Sequence, residues 1–262
     1  MAEIDLMIQP DEDEPEAASV FVEGRLNGKP YRFLLDTGAA RSSVILNEDT
    51  VVLPAVGTHV SSGVFATSND DLVRVERLEI GSIVQHDVTV TRSPAAPGTR
   101  DLIGMDILRQ FCCHFQFDRD RLVIDVDCLD ELPFQPLFMD SHFHSYVDVL
   151  FQGGQGSAVW DTGASLTVVD LNFIQQHPGY FAPAGHSVGT DATGSQVETP
   201  MFVMASARIG GHVFPSHRVA AVDLSPVNTR IERPMDLILG YMTLRKANWL
   251  FDFPRKRWTI TT

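Results

Sequence analysis

The chain repeats itself, and that repeat constrains the fold more than any other feature of its 262 residues. The segment Phe33-Leu-Leu-Asp-Thr-Gly-Ala39 returns as Ala158-Val-Trp-Asp-Thr-Gly-Ala164, 125 positions later. Eight residues before each aspartate stands a glycine, Gly28 and Gly153. Further on, Gly63 to Thr67 match Gly189 to Thr193, and Ile80-Gly81 match Ile209-Gly210. Leu102-Ile-Gly104 then matches Ile238-Leu-Gly240, after which Leu108, Arg109, Phe115 and Phe117 align without gaps on Leu244, Arg245, Phe251 and Phe253. Landmarks in one order, with spacings that only lengthen, describe a duplicated unit whose second copy carries longer loops.

Each copy reads as short strands. Ser19 to Glu23, Tyr31 to Leu35, Leu72 to Glu76 and Val88 to Thr91 are β-branched and aromatic runs bounded by Gly, Asn, Asp or Pro. Asn27-Gly28 between the first two is a hairpin signal. One helical piece per copy follows the apolar-apolar-Gly element, at Met105 to Phe111 and at Tyr241 to Lys246. The expectation is a mostly-β protein with lobes at 18–130 and 131–262, joined near Pro133 and Pro136.

Charge narrows the partners. The net charge of −14 argues against nucleic acid, because phosphate binding needs clustered Lys and Arg. Residues 1–17 carry seven acids and no base, which reads as a solvated, disordered acidic tail. No stretch has the length of apolar residues that a membrane helix needs, and the N-terminus lacks a basic and then apolar leader. A cytoplasmic location is expected. Cys112, Cys113 and Cys128 form neither a disulfide framework nor a metal-ligand spacing, so reduced thiols are the simplest account.

A carboxylate at the end of a buried apolar strand is costly, and here it occurs twice at equivalent places. If the copies pack about a pseudo-twofold axis, Asp36 and Asp161 meet. Two carboxyls at close range retain one proton between them and so supply a base and an acid together. Gly38 and Gly163 permit close backbone approach, while the hydroxyls of Thr37 and Thr162 can brace one loop against the other.

The two Asp-Thr-Gly-Ala segments, each with an apolar-apolar-Gly partner and a short helix, resemble the retropepsin and pepsin class of aspartic proteases over residues 18–262. The resemblance implies a bilobal, pseudo-twofold β fold with a cleft, and Asp36 and Asp161 as the dyad of an aspartic endopeptidase that attacks peptide bonds with water. It implies no metal and no organic cofactor, a peptide or protein substrate held in extended form, and a monomer, since one chain supplies both halves. Segments around Gly63 and Phe65 and around Gly189 and Asp191 would be hairpin flaps over the cleft. The alternative is a catalytically silent peptide-binding or regulatory module using the same cleft.

Several features depart from that class. Retropepsins follow apolar-apolar-Gly with an Arg that pairs with an Asp beyond the catalytic loop; here Met105, Tyr241, Ala40 and Ser165 stand at those places. Ala39 and Ala164 replace the serine usual in pepsins, removing a donor to the outer carboxylate oxygen, which predicts a dyad that works at mildly acidic to near-neutral pH. Arg41, Ser42, Leu166 and Thr167, just past the loops, are candidate pocket residues. Asp140, His142 and His144 admit a metal geometry, although a solvated strand at the joint is the simpler reading. Trp160, Trp249 and Trp258 lie in apolar runs and read as core.

Overall fold

The computed structural model describes residues 2–11, 14, 16–62, 67–125, 131–190 and 196–261. Three sheets organise them. An eight-stranded sheet forms the first lobe, in the order Met7–Pro10, Ala18–Leu26, Lys29–Leu35, Leu102–Ile103, Ser43–Ile45, Ile83–Ser93, Thr67–Ile80 and Ala55–Ser62. A ten-stranded sheet forms the second lobe from residues 138–239. The third sheet, six-stranded, draws on both halves, and at its centre Cys112–Gln116 pairs antiparallel with Asn248–Asp252. The pairs Cys113 with Phe251 and Phe115 with Trp249 mirror each other about the axis that the repeat predicts.

The apolar pattern explains the packing. Phe115, Trp160, Trp249, Phe251 and Trp258 are all at most 2% exposed and stack beneath the junction of the lobes. The Trp160 ring lies 4.6 Å from those of both Phe115 and Phe251. The three tryptophans are core, as expected. Asn27-Gly28 turns the first hairpin with φ of 49° and 81°, the left-handed pair a tight two-residue turn requires. The two short helices fall where the repeat puts them but last only four residues each, Met105–Leu108 and Tyr241–Leu244. Among the described residues no helix is long and apolar enough to cross a membrane.

Two expectations are corrected. Residues 2–10 of the acidic segment are no disordered arm: Ala2–Asp5 pairs with Arg121–Ile124 at the rim of the shared sheet, and Met7–Pro10 pairs with Ala18–Leu26. The physical reason is an alternation under the charge. Ile4 and Leu6 point inward at 5% exposure, while Glu3 and Asp5 meet Arg121, and Glu14 reaches Arg218 in the second lobe. The cysteines are not all reduced either, because Cys112 takes part in a disulfide while Cys113 is a free, buried thiol.

Candidate active site

Each aspartate stands at the end of a central strand. In the first lobe Lys29–Leu35 runs parallel to Leu102–Ile103, and the Asp36 N–H continues the ladder onto the Ile103 carbonyl at 2.9 Å. In the second lobe Gly154–Trp160 runs parallel to Leu237–Leu239, and the Asp161 N–H donates to the Leu239 carbonyl at 3.0 Å. The apolar-apolar-Gly elements are therefore the strands that seat the aspartates.

The two loops interlock through their threonines. The Thr37 hydroxyl donates to the Trp160 carbonyl at 3.0 Å and accepts the Thr162 N–H at 3.0 Å. The Thr162 hydroxyl donates to the Leu35 carbonyl at 2.6 Å and accepts the Thr37 N–H at 3.2 Å. Both threonines are fully buried, so these four bonds cross the lobe junction without competition from water.

The interlock forces the carboxyls together. The Gly38 N–H lies 3.0 Å from Oδ1 of its own Asp36 and 3.0 Å from Oδ1 of Asp161. The Gly163 N–H donates to Asp161 Oδ1 at 2.8 Å, and the Ala39 N–H to Asp36 Oδ1 at 2.9 Å. A Cβ on Gly38 would sit 2.6 Å from the Asp161 carboxyl carbon, and one on Gly163 would sit 2.4 Å from that of Asp36. Glycine is the residue type that fits either place. Burial raises both aspartates above the usual carboxylate range, and the charge of Asp161 pushes Asp36 further up. Two carboxyls brought this close share one proton between them.

The support around the loops differs between halves. In the first, the Ser42 N–H and hydroxyl both donate to Asp106 Oδ1, at 2.9 and 2.7 Å, and the Gly104 N–H donates to the Ser42 hydroxyl. In the second, the Gly240 N–H donates to Thr167, whose hydroxyl lies 2.6 Å from that of Thr243, and Thr243 in turn is 2.7 Å from Nε2 of His217. Ser42 and Thr167 are thus buried braces rather than pocket linings, at 1% and 0% exposure. Desolvation raises Asp106 and lowers His217. Asp106 and His217 escaped sequence reasoning; His217 lies outside every repeated landmark and carries no local signal.

The flap expectation divides. Strands Ala55–Ser62 and Thr67–Ile80 form a hairpin, as do Phe181–Thr190 and Gln196–Met204, with Gly189 paired to Val197. Gly63, Phe65 and Asp191 lie outside the described residues. At the joint, His144 is hydrogen-bonded to Asp140 and stacked on His142, and among the described residues no cluster of three or more His, Cys, Asp or Glu is arranged for a metal ion.

Two lobes about a shared sheet, with an Asp-Thr-Gly loop from each meeting at the junction, define an aspartyl-protease scaffold. Residues 22–110 match the family of gag-polyprotein aspartyl proteases, and residues 147–243 match a second family described as aspartyl protease. The chain carries two retropepsin-like aspartyl-protease halves, one after the other. No curated protein matches it significantly.

Proposed function

We propose that the protein is an aspartic endopeptidase whose single site is the Asp36/Asp161 pair. The ionised carboxylate takes a proton from a water, and the resulting oxygen nucleophile bonds to the carbonyl carbon of an extended peptide. The protonated carboxyl donates to the carbonyl oxygen as it becomes an alkoxide. Collapse of the tetrahedral species breaks the C–N bond, and the nitrogen leaves with a proton returned by the pair. The observation that carries this reading is the crossed contact of each glycine with the opposite aspartate, together with the Gly38 N–H lying 3.0 Å from a carboxyl oxygen of both.

Neither a metal nor an organic cofactor enters these steps, and one chain acting as a monomer suffices. Narrow specificity is part of the same proposal, and broad digestion of casein would contradict it. The Cys112 disulfide runs against a reducing compartment, since such bonds persist mainly in oxidising ones. Thiol counting on protein isolated under alkylating conditions tests the setting: alkylation of all three cysteines supports a reducing compartment such as the cytoplasm, and fewer contradicts it.

The activity test is cleavage of a diverse peptide library across pH 3 to 8, with and without a pepstatin-like inhibitor. Inhibitor-sensitive cleavage is expected, strongest from mildly acidic to near-neutral pH. A folded protein that cleaves nothing at any pH contradicts the proposal.

A further inference from the structure

The two aspartate loops are braced alike at their near ends and differently at their far ends. Ser42 and Thr167 each stand six residues past an aspartate, and each hydroxyl accepts a glycine N–H, from Gly104 or Gly240. In the first half the Ser42 hydroxyl donates to Asp106, two residues past Gly104, so the brace closes within its own lobe. In the second half the brace runs outward, and its proton order can be followed. Nδ1 of His217 lies 2.9 Å from the Pro215 carbonyl, which can only accept, so Nδ1 carries the proton. Burial favours the neutral ring, which leaves Nε2 as an acceptor. The Thr243 hydroxyl therefore donates to His217, and the Thr167 hydroxyl donates to Thr243. The brace thus ends on the strand His217–Val222. That strand also holds Thr167 directly, the Ala220 N–H donating to its carbonyl at 2.9 Å.

The residue next to His217 is gripped from the other lobe. Met7–Pro10 and Ala18–Leu26 form a hairpin of the first-lobe sheet, and the Asp11 N–H ties its acidic turn to the Ala17 carbonyl at 2.9 Å. Glu14 in that turn is only 8% exposed, and its carboxylate accepts an N–H of the Arg218 guanidinium at 3.2 Å. Glu16 lies 3.6 Å from Arg245, just past the helix Tyr241–Leu244 that carries Thr243. The same helix packs against Ala18–Leu26 of the first lobe. The Glu16 pair is open to water on both sides and contributes little, whereas Glu14 is withdrawn from water and needs its cation. Successive residues of a strand point to opposite faces, so Arg218 meets the turn while His217 meets Thr243.

We propose that the acidic turn of the first lobe is a positioning element for Asp161 in the second: the grip of Glu14 on Arg218 fixes His217, and His217 fixes the Asp161 loop through Thr243, Thr167 and Gly240. The path is short and continuous. Leu239, next to Gly240, accepts the Asp161 N–H at 3.0 Å, and a Cβ on Gly240 would lie 2.1 Å from the Leu166 carbonyl oxygen. Gly240 and the loop therefore move together. Asp36 has no such tie, because its brace ends on Asp106. The consequence for turnover rests on the protease reading, whereas the coupling between turn and loop does not.

The test is native-state amide exchange, followed by NMR on the full chain, of the wild type, Arg218→Gln, Arg218→Lys and Glu14→Gln. The Gly240 N–H, which donates to Thr167, is the reporter, and the Gly104 N–H, which donates to Ser42, is the control. In R218Q, Gly240 is expected to exchange about tenfold faster or more while Gly104 keeps the wild-type rate. E14Q is expected to show the same difference to a smaller extent, and it decides alone if R218Q does not fold. R218K, which keeps a cation for Glu14, is expected to retain most of the protection; a loss equal to that of R218Q overturns the proposal. Equal acceleration at both glycines marks a general loss of stability and overturns it too, as does unchanged exchange at Gly240. Peptide cleavage measured in parallel separates the two readings. With turnover present, R218Q is expected to lower kcat several-fold and leave KM unaltered, and an unaltered kcat overturns the proposal. With no turnover in the wild type, the protease reading fails while exchange at Gly240 still decides the coupling.

Discussion

The two halves agree where the loops touch and differ one layer away. At the junction, Thr37 and Thr162 make the same pair of bonds in opposite directions, and Gly38 and Gly163 each press on the other half's aspartate. Behind that contact the first half uses a half-buried carboxyl, Asp106, and the second a buried imidazole, His217, at the end of a hydroxyl chain. A symmetric interlock brings two carboxyls together, whereas the groups that brace each loop from behind differ between the halves.

The largest effect that would break this comparison comes from the glycines. Gly38→Ala and Gly163→Ala each drive a methyl into the opposite carboxyl and are expected to lower cleavage by roughly a hundredfold or more. Steady-state rates on one peptide check it; tolerance of either alanine would show that the crossing is not needed. Next come the threonines. Thr37→Val and Thr162→Val each leave a buried N–H and a carbonyl unpaired, at a cost of about 2–3 kcal/mol by urea unfolding. The two costs should be near equal, and the double variant less than additive because the bonds are shared.

The supports should respond to pH with opposite signs. Asp106 is raised by burial, so its share of stability is present below the ordinary carboxylate range and lost as pH rises through its folded value. His217 is lowered by burial, so its share is present above the ordinary histidine range and lost as pH falls toward its folded value. Thermal unfolding from pH 4 to 8 should therefore lose its alkaline decline in Asp106→Asn and soften its acid decline in His217→Gln. Identical pH profiles for both variants would contradict the asymmetry. The smallest effect is expected from Ala39→Ser or Ala164→Ser. An added hydroxyl that donates to the outer carboxylate oxygen stabilises the ionised form and should move the acid limb of the cleavage profile down by a few tenths of a pH unit.

Much of this was legible in the sequence because a repeat turns one motif into a geometric statement. The meeting of Asp36 with Asp161, the threonine brace, the Asn27-Gly28 hairpin and the buried tryptophans all follow from residue type and spacing. The ordered N-terminus was also written there, since Ala2, Ile4, Leu6 and Ile8 alternate, but seven acids in the first 17 residues masked that period of two. His144 was visible and pointed elsewhere: beside His142 and Asp140 it suggests a metal, whereas its ring is held by Asp140 alone among those neighbours and stacks on His142. His217 and the Cys112 disulfide were not legible at all. His217 depends on Thr243, a partner that neither periodicity nor spacing brings near.

The central claim, that both aspartates form one site, is tested most directly by Asp36→Asn and Asp161→Asn, each assayed on a peptide the wild type cleaves. Both variants should fall to background, each alone, with unfolding midpoints close to wild type. Retention of cleavage by either variant would contradict a shared pair.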